Sequence, residues 1–148
     1  MATTIDSIDR TLHKTNEWIS GVTEALHEED RKAAYSALRS VLHALRDRLP
    51  LLSAAGLAAQ LPMLVRGIYY DGWQPERTPI HARSLEEFLA LVERDLPPGG
   101  RLDPEQAARA VFHVMDQHLD PNETEKIIRL LPRSIQELWR RPSEPRDS

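Results

Sequence analysis

The chain contains no cysteine, which excludes disulfide frameworks, cysteine-ligated zinc or iron–sulfur centres and thiol nucleophiles. This composition fits a reducing compartment, and we expect a cytoplasmic protein. Aromatic residues are scarce at 5%, so each of them carries weight as a packing or binding group. Basic residues are not in excess, because the formal net charge is −4 at pH 7, and this argues against a nucleic-acid partner.

Long hydrophobic runs are also missing. The stretch 49–65 has no charged residue, but it is shorter than the roughly 20 residues that span a bilayer, and Pro50 and Pro62 interrupt it. The first nine residues are polar and acidic and lack the apolar core of a signal peptide. We therefore expect no targeting segment and no membrane partner.

What is present suits one compact domain. The chain has 148 residues, of which 41% are hydrophobic and 28% charged, as in ordinary soluble proteins. A chain of this length buries enough surface to fold without a disulfide or a metal. We predict a single all-helical domain over residues 1–141 and a disordered tail at 142–148, where prolines and polar residues dominate.

The two halves of the chain are similar to each other. A shift of 70 residues brings them into register, with repeat one near 15–71, a connection at 72–83 and repeat two near 84–141. Identical pairs recur along the alignment, such as Leu26 with Leu96, and many other positions are apolar in both halves. The pattern indicates a tandem duplication.

Each repeat predicts four helices, because its apolar residues recur at helical spacing. Ser84 and Glu87 suit a capping box, and Asp103 followed by Pro104 is a typical helix start. Residues 4–14 predict a further amphipathic helix ahead of the first repeat. No stretch alternates with a period of two for long enough to form a strand. The predicted fold class is therefore all-α, a helical bundle of two four-helix repeats plus an N-terminal helix.

The predicted helix at about 29–49 is the longest and is apolar over most of its circumference, so we expect it at the centre of the bundle. Its polar side holds Arg39 and His43, which are four residues apart and therefore neighbours. Arg109 and His113 repeat this pair in the second half.

The duplicated Arg–His pairs are the first candidate for a binding site. An arginine offers a planar fork of donors and a histidine titrates near neutral pH, so together they suit a carboxylate or a phosphate. If a pseudo-twofold axis relates the repeats, both pairs would face one groove. The alternative is that each pair bonds to a neighbouring helix or faces water.

The second candidate is a polar and aromatic cluster at the end of the first repeat, formed by Arg66, Tyr69, Tyr70, Asp71 and Trp73. Tyrosine and tryptophan dominate binding hot spots and can stack on ligands. The alternative is that these aromatic side chains pin the connection onto the bundle, with their polar tips hydrogen-bonded.

No catalytic or metal-binding constellation stands out. The sequence contains no P-loop, no dinucleotide-binding glycine motif and no nucleophile elbow. Glu24 and His27 match one element of a di-iron bundle site, but their repeat counterparts are Arg94 and Pro97, so the ligand set is incomplete. We predict no enzyme activity, no metal and no cofactor.

Two segments of the first half carry distinctive motifs. They read RSVLHALRDRL at 39–49 and QLPMLVRGIYYDGWQP at 60–75, and shorter motifs continue as far as Leu138 and Trp139. These motifs resemble the bacterial family catalogued as domain of unknown function 2267, over about residues 15–140. The resemblance implies a soluble bacterial protein with no assigned activity and no catalytic residues to carry over.

Two classes of function follow. The first is a non-enzymatic interaction or adaptor module, since helical repeats commonly present binding surfaces. It implies a protein partner, and the N-terminal helix suggests a homodimer contact. The alternative is a sensor that binds a small molecule or an anion at the Arg–His pairs or the 66–73 cluster. Convergence of His43 and His113 in one pocket would favour the sensor, and an exposed apolar patch would favour the adaptor.

Overall fold

The computed structural model describes residues 5–139 and shows eight α-helices and no strand within that range. In chain order the helices are α1 (Asp6–Leu26), α2 (Arg31–Arg48), α3 (Leu51–Ala58), α4 (Met63–Tyr70), α5 (Leu85–Asp95), α6 (Pro104–His118), α7 (Pro121–Arg129) and α8 (Arg133–Trp139). The predicted all-α fold is confirmed. None of the described helices is both long enough and apolar enough to cross a membrane. The tail predicted at 142–148 lies outside the described residues.

Side-chain caps fix where several helices begin, and their partners are those that the sequence predicts. The Ser84 hydroxyl accepts a hydrogen bond from the N–H of Glu87 at 3.1 Å, which is the N-cap bond of the predicted capping box, and it donates to the Glu87 carboxylate at 3.2 Å. Asp103 caps α6 by accepting from the N–H of Gln106 at 3.1 Å, with Pro104 at the first helical position.

The N-terminal helix predicted over residues 4–14 is not a separate element. It is the first part of α1, because neither proline nor glycine interrupts residues 6–20. Thr15 lies buried in the middle of α1, where its hydroxyl donates to the carbonyl of Thr11 at 2.7 Å. Helix α1, with 21 residues, is therefore longer than α2, with 18, and the prediction that the second helix is the longest is wrong.

One hydrophobic cluster fills the interior, and α2 runs through it. Helix α2 packs against α1, α3, α4, α5 and α6, so it occupies the central position that its apolar circumference predicts. It also buries four polar side chains, namely Ser40, His43, Arg46 and Asp47. An unpaired buried polar group costs about 1–3 kcal/mol, and the partners of His43, Arg46 and Asp47 therefore define the polar structure of the interior. The Ser40 hydroxyl has no hydrogen-bond partner among the described residues.

The helix boundaries agree with the predicted register of the repeats. Helices α3 and α7 begin at positions 51 and 121, α4 and α8 begin at 63 and 133, and α2 and α6 end at 48 and 118. The packing is reciprocal, since α2 lies against α5 and α6 lies against α1. The duplication itself stays a prediction.

The connection between the halves lies against the C-terminal end of α2. The N–H of Ile80 donates to the carbonyl of Asp47 at 2.7 Å, and Nε of Arg48 donates to the carbonyl of Ala82 at 2.7 Å. The connection begins at Gly72, whose φ of 74° lies in the left-handed region that favours glycine. These contacts hold the connection beside α2 and leave a cleft next to it.

Candidate functional site

A polar cleft of about 440 Å³ lies between α2, α5 and the connection. Its volume falls within the roughly 300–1,000 Å³ that is typical of small-molecule sites. Of the described residues that line it, only Ile80 has an aliphatic side chain. The remainder of the lining is dominated by His43 and seven charged side chains, namely Arg39, Arg46, Arg77, Arg94, Asp47, Asp71 and Asp95.

The floor of the cleft is a buried ion pair on α2. Nε of Arg46 donates to Oδ1 of Asp47 at 2.8 Å, and the two side chains are only 5% and 8% exposed. Nη1 of Arg46 donates to the carbonyls of Tyr69 and Asp71, both at 2.9 Å, at the end of α4. Oδ2 of Asp47 accepts from Nη2 of Arg94 at 3.2 Å. The pair therefore joins α2 to both α4 and α5.

His43 is buried beside this pair, and each of its ring nitrogens faces an acceptor. Nε2 lies 2.7 Å from the carbonyl oxygen of Ile68, and Nδ1 lies 3.2 Å from Oδ2 of Asp95. A neutral ring can donate to only one of these acceptors, whereas an imidazolium donates to both. The pKa of His43 is lowered, mainly by burial and also by the positive charges of Arg46 and Arg39. The hydrogen bonds to the two acceptors raise the pKa and offset part of this effect.

This lowered pKa predicts a free energy of unfolding that falls in mild acid. The histidines of the unfolded chain take up protons near pH 6.5, whereas folded His43 does so only at lower pH. In that window the unfolded state binds more protons, so the contribution of His43 is complete above pH 6.5 and is lost as the pH falls towards its folded pKa. Burial also lowers the pKa of His118, so this histidine likewise lowers the free energy of unfolding as the pH falls.

Urea unfolding at pH 7.5, 6.5 and 5.5 measures this dependence. We expect His43→Gln to have a shallower dependence on pH than the wild type, because its side chain does not titrate. A free energy of unfolding that increases as the pH falls from 7.5 to 5.5 would contradict this prediction, because it would show that the histidines are charged in the folded protein.

Three of the arginines that line the cleft have donor atoms with weak internal partners or none. Nη2 of Arg39 lies 3.4 Å from Oδ2 of Asp71, whose side chain is 69% exposed. Within residues 5–139, no carboxylate pairs with the exposed guanidinium of Arg77, and Nη2 of Arg46 has no hydrogen-bond partner. Guanidinium groups whose N–H donors have no strong partner within the protein can bind the carboxylate or phosphate of a ligand.

The two Arg–His pairs lie in different surroundings. Arg39 and His43 line the cleft, whereas Arg109 and His113 do not. Nη1 of Arg109 donates to the carbonyl of Glu137 in α8 at 3.2 Å, and the ring of His113 contacts a glutamine side chain one turn further along α6. The expectation that both pairs face one groove fails for this cleft, and the second pair takes the alternative role of contacts within the bundle.

The facing helices explain this difference. Helix α5 presents the carboxylate of Asp95 to His43. The position 70 residues before Asp95 is Ala25, on the helix that packs against α6. An alanine cannot hold an imidazole, so the duplication of the Arg–His pair does not duplicate the site around it.

The predicted 66–73 cluster divides between packing and the cleft. Arg66 donates to two backbone carbonyls at the end of α3 and just after it, both at 3.0 Å, and the hydroxyl of buried Tyr69 donates to an α3 carbonyl at 2.8 Å. Tyr70 stacks on Trp73, whose buried Nε1 has no partner among the described residues, contrary to the predicted bonded tip. Of these five residues, Asp71 lines the cleft.

Sequence reasoning missed five charged residues of the site, namely Arg46, Asp47, Arg77, Arg94 and Asp95. A signal existed for Arg46, because Arg39, His43 and Arg46 follow the spacing i, i+4, i+7 and so share one face of α2. No comparable signal marks Arg94 and Asp95, since only the packing of α5 against α2 brings them to the cleft.

The fold and the site define an all-α helical protein with an arginine-rich polar cleft. The chain belongs to the family described as uncharacterized conserved protein DUF2267, whose sequence profile matches residues 15–138, and this confirms the resemblance. The match includes every residue that lines the cleft. No curated protein shows a significant match to the chain. Within residues 5–139, no group of three histidine, aspartate or glutamate side chains could hold a metal ion.

Proposed function

We propose that this protein is a non-enzymatic sensor that binds a small anionic molecule in the cleft. The observation that carries the proposal is the set of arginine donors that the fold leaves without strong partners in one concave site. Four arginines and three aspartates line the cleft, which leaves one net positive charge when His43 is neutral. An anionic ligand would neutralise this charge in a partly buried setting, where charge-assisted hydrogen bonds are strongest.

The chemistry of the lining supports binding rather than catalysis. Each ring nitrogen of His43 faces a protein oxygen, so the ring is not positioned to act as a general base on a ligand. The hydroxyl of Thr78 donates to the carbonyl of Pro75 at 3.1 Å. None of the described residues that line the cleft accepts a hydrogen bond from this hydroxyl as a base that activates a nucleophile would.

Inorganic phosphate is the first probe of this proposal. We expect the Nε–H signals of Arg39 and Arg77 to shift when the protein is titrated with phosphate at pH 7.5 and low salt. Arg77→Gln removes a charged donor that the fold does not use, and a hydrogen bond to a charged group contributes about 1.5–3 kcal/mol. The variant is therefore expected to bind phosphate about 10- to 100-fold more weakly, with an unchanged Tm.

The matched control is Arg129→Gln, because Arg129 is an exposed arginine of α7 that pairs only with Glu125 among the described residues and does not line the cleft. It is expected to leave phosphate binding unchanged. If phosphate binds equally well to the wild type, Arg39→Gln and Arg77→Gln, the cleft is not the anion site.

A second candidate function, the protein-interaction module, is favoured by exposed apolar residues on α1 and α4. Ile8 and Leu12 lie one turn apart on α1 and are exposed, as is Met63 at the start of α4. The N–H of Leu64 donates to the hydroxyl of Thr11 at 2.9 Å, which places the start of α4 against this part of α1. A homodimer would bury this surface, and sedimentation velocity at 100 µM protein distinguishes a dimer from a monomer.

A further inference from the structure

The cleft presents acceptors as well as donors, and this narrows the class of its ligand. Asp71 is mostly exposed, and its contact with Arg39 at 3.4 Å is near the limit of a hydrogen bond. Oδ1 of Asp95 lies 3.8 Å from Nε of Arg94, which is beyond that limit. Both carboxylates therefore keep lone pairs that can accept hydrogen bonds from a ligand.

The charge of the lining decides which donor groups a ligand can carry. The lining has one net positive charge with His43 neutral, so a carboxylate balances it, and a phosphate monoester, with about −1.5 to −2 charges at pH 7, exceeds it by at most about one charge. A polyanion such as a triphosphate would meet three carboxylates, and an ammonium group would add positive charge to a lining that is already positive. Hydroxyl groups add no charge and donate to carboxylates.

We infer that the ligand is a small hydroxylated acid, in which a single phosphate or carboxylate group is joined to a body that carries hydroxyl groups. This inference rests on the proposed binding function. Arg77, which has no internal ion pair within residues 5–139, binds the anionic group, and Asp71 accepts from a hydroxyl. Arg94 is less suited to the anion, since it already donates to Asp47.

The size and polarity of the cleft agree with this class. Its volume of about 440 Å³ lies within the range that is typical of small-molecule sites and suits a ligand of the size of a phosphorylated sugar. A large apolar or aromatic group would find only Ile80 to pack against among the described lining residues.

Ribose 5-phosphate tests this class of ligand, with inorganic phosphate and ribose as its two parts. By isothermal titration calorimetry on the full chain at pH 7.5, we expect ribose 5-phosphate to bind at least tenfold more tightly than phosphate, and ribose to give no measurable heat. Gluconate, a hydroxylated carboxylate, distinguishes the two anionic groups. Whichever of gluconate and ribose 5-phosphate binds more tightly identifies the acid group of the ligand.

The variant Asp71→Ala separates this inference from the proposed function. Loss of the Asp71 carboxylate is expected to reduce the advantage of ribose 5-phosphate over phosphate about tenfold, while phosphate itself binds as well as before or more tightly. Glu125→Gln, an exposed acid on α7, is the matched control and should preserve the advantage.

The outcomes are distinct. If phosphate and ribose 5-phosphate bind the wild type equally, or if Asp71→Ala keeps the full advantage, the inference about hydroxyl groups is overturned and anion binding stands. If Arg39→Gln and Arg77→Gln both bind phosphate and ribose 5-phosphate as tightly as the wild type does, the site itself is wrong and both proposals fall.

Discussion

Replacing Asp47 by alanine is expected to lower the free energy of unfolding by about 3–5 kcal/mol, a large share of the roughly 5–15 kcal/mol typical of a domain. Asp47 is almost fully buried and accepts from Nε of Arg46 and from Nη2 of Arg94. Without this carboxylate, the guanidinium of Arg46 becomes a buried charge with only neutral carbonyls as partners. Such an uncompensated charge, rather than the lost hydrogen bonds alone, makes the expected loss large.

Urea unfolding at pH 7.5, followed by tryptophan fluorescence, measures this loss. The matched control is Asp71→Ala in the same cleft, because an exposed ion pair contributes only about 0–1 kcal/mol. The double variant Arg46→Met/Asp47→Leu removes both charges, so it should recover part of the stability that Asp47→Ala loses. A double variant less stable than Asp47→Ala would mean that packing and the carbonyl contacts of Arg46 outweigh the unpaired charge.

The helices could be predicted because caps and apolar periodicity act over a few residues. The length of α1 could not be predicted, because the polar Thr15 interrupts the apolar stripe between Leu12 and Trp18. The sequence pattern therefore indicates two separate helices where the structure has one. In the structure the hydroxyl of Thr15 donates to the carbonyl of Thr11, and this local bond allows a polar side chain to be buried in the stripe.

The candidate site could be predicted only in short segments of the chain, namely the polar face of α2 and the 66–73 cluster, which contributes Asp71. Arg39 and His43 are one turn apart on α2, so their proximity follows from helix geometry. The carboxylate of Asp95 is 52 residues away from His43 in the chain, and only the packing of α5 on α2 brings it to the ring. The predicted internal repeat gave a wrong expectation for the same reason. The Arg–His spacing recurs on α6, but the position 70 residues before Asp95 is Ala25, which has no carboxylate.

Replacing Phe112 by alanine is expected to lower the free energy of unfolding by about 3–5 kcal/mol, for a reason unrelated to charge. Phe112 is fully buried on α6, and its ring stacks on Trp139 of α8 with 4.0 Å between centroids and 9° between planes. The ring of Phe88 on α5 is also close, with 6.2 Å between its centroid and that of Phe112. Alanine would leave a cavity between three helices, which cannot all close on it because each is also packed against other elements.

Phosphate binding in the cleft distinguishes the stability loss of Phe112→Ala from that of Asp47→Ala, since the side chain of Asp47 lines the cleft. Phe112→Leu fills most of the cavity, so it should lower the free energy of unfolding by less than half as much as Phe112→Ala does. The control Leu52→Ala, at a side chain that is 85% exposed, should change the free energy of unfolding by no more than about 0.5 kcal/mol. Neither Phe112 nor Trp139 lines the cleft, so Phe112→Ala should bind phosphate as the wild type does at a temperature where it remains folded. If its phosphate affinity falls there as well, the aromatic cluster and the cleft are coupled through α5, which contributes Phe88 to the one and Arg94 to the other.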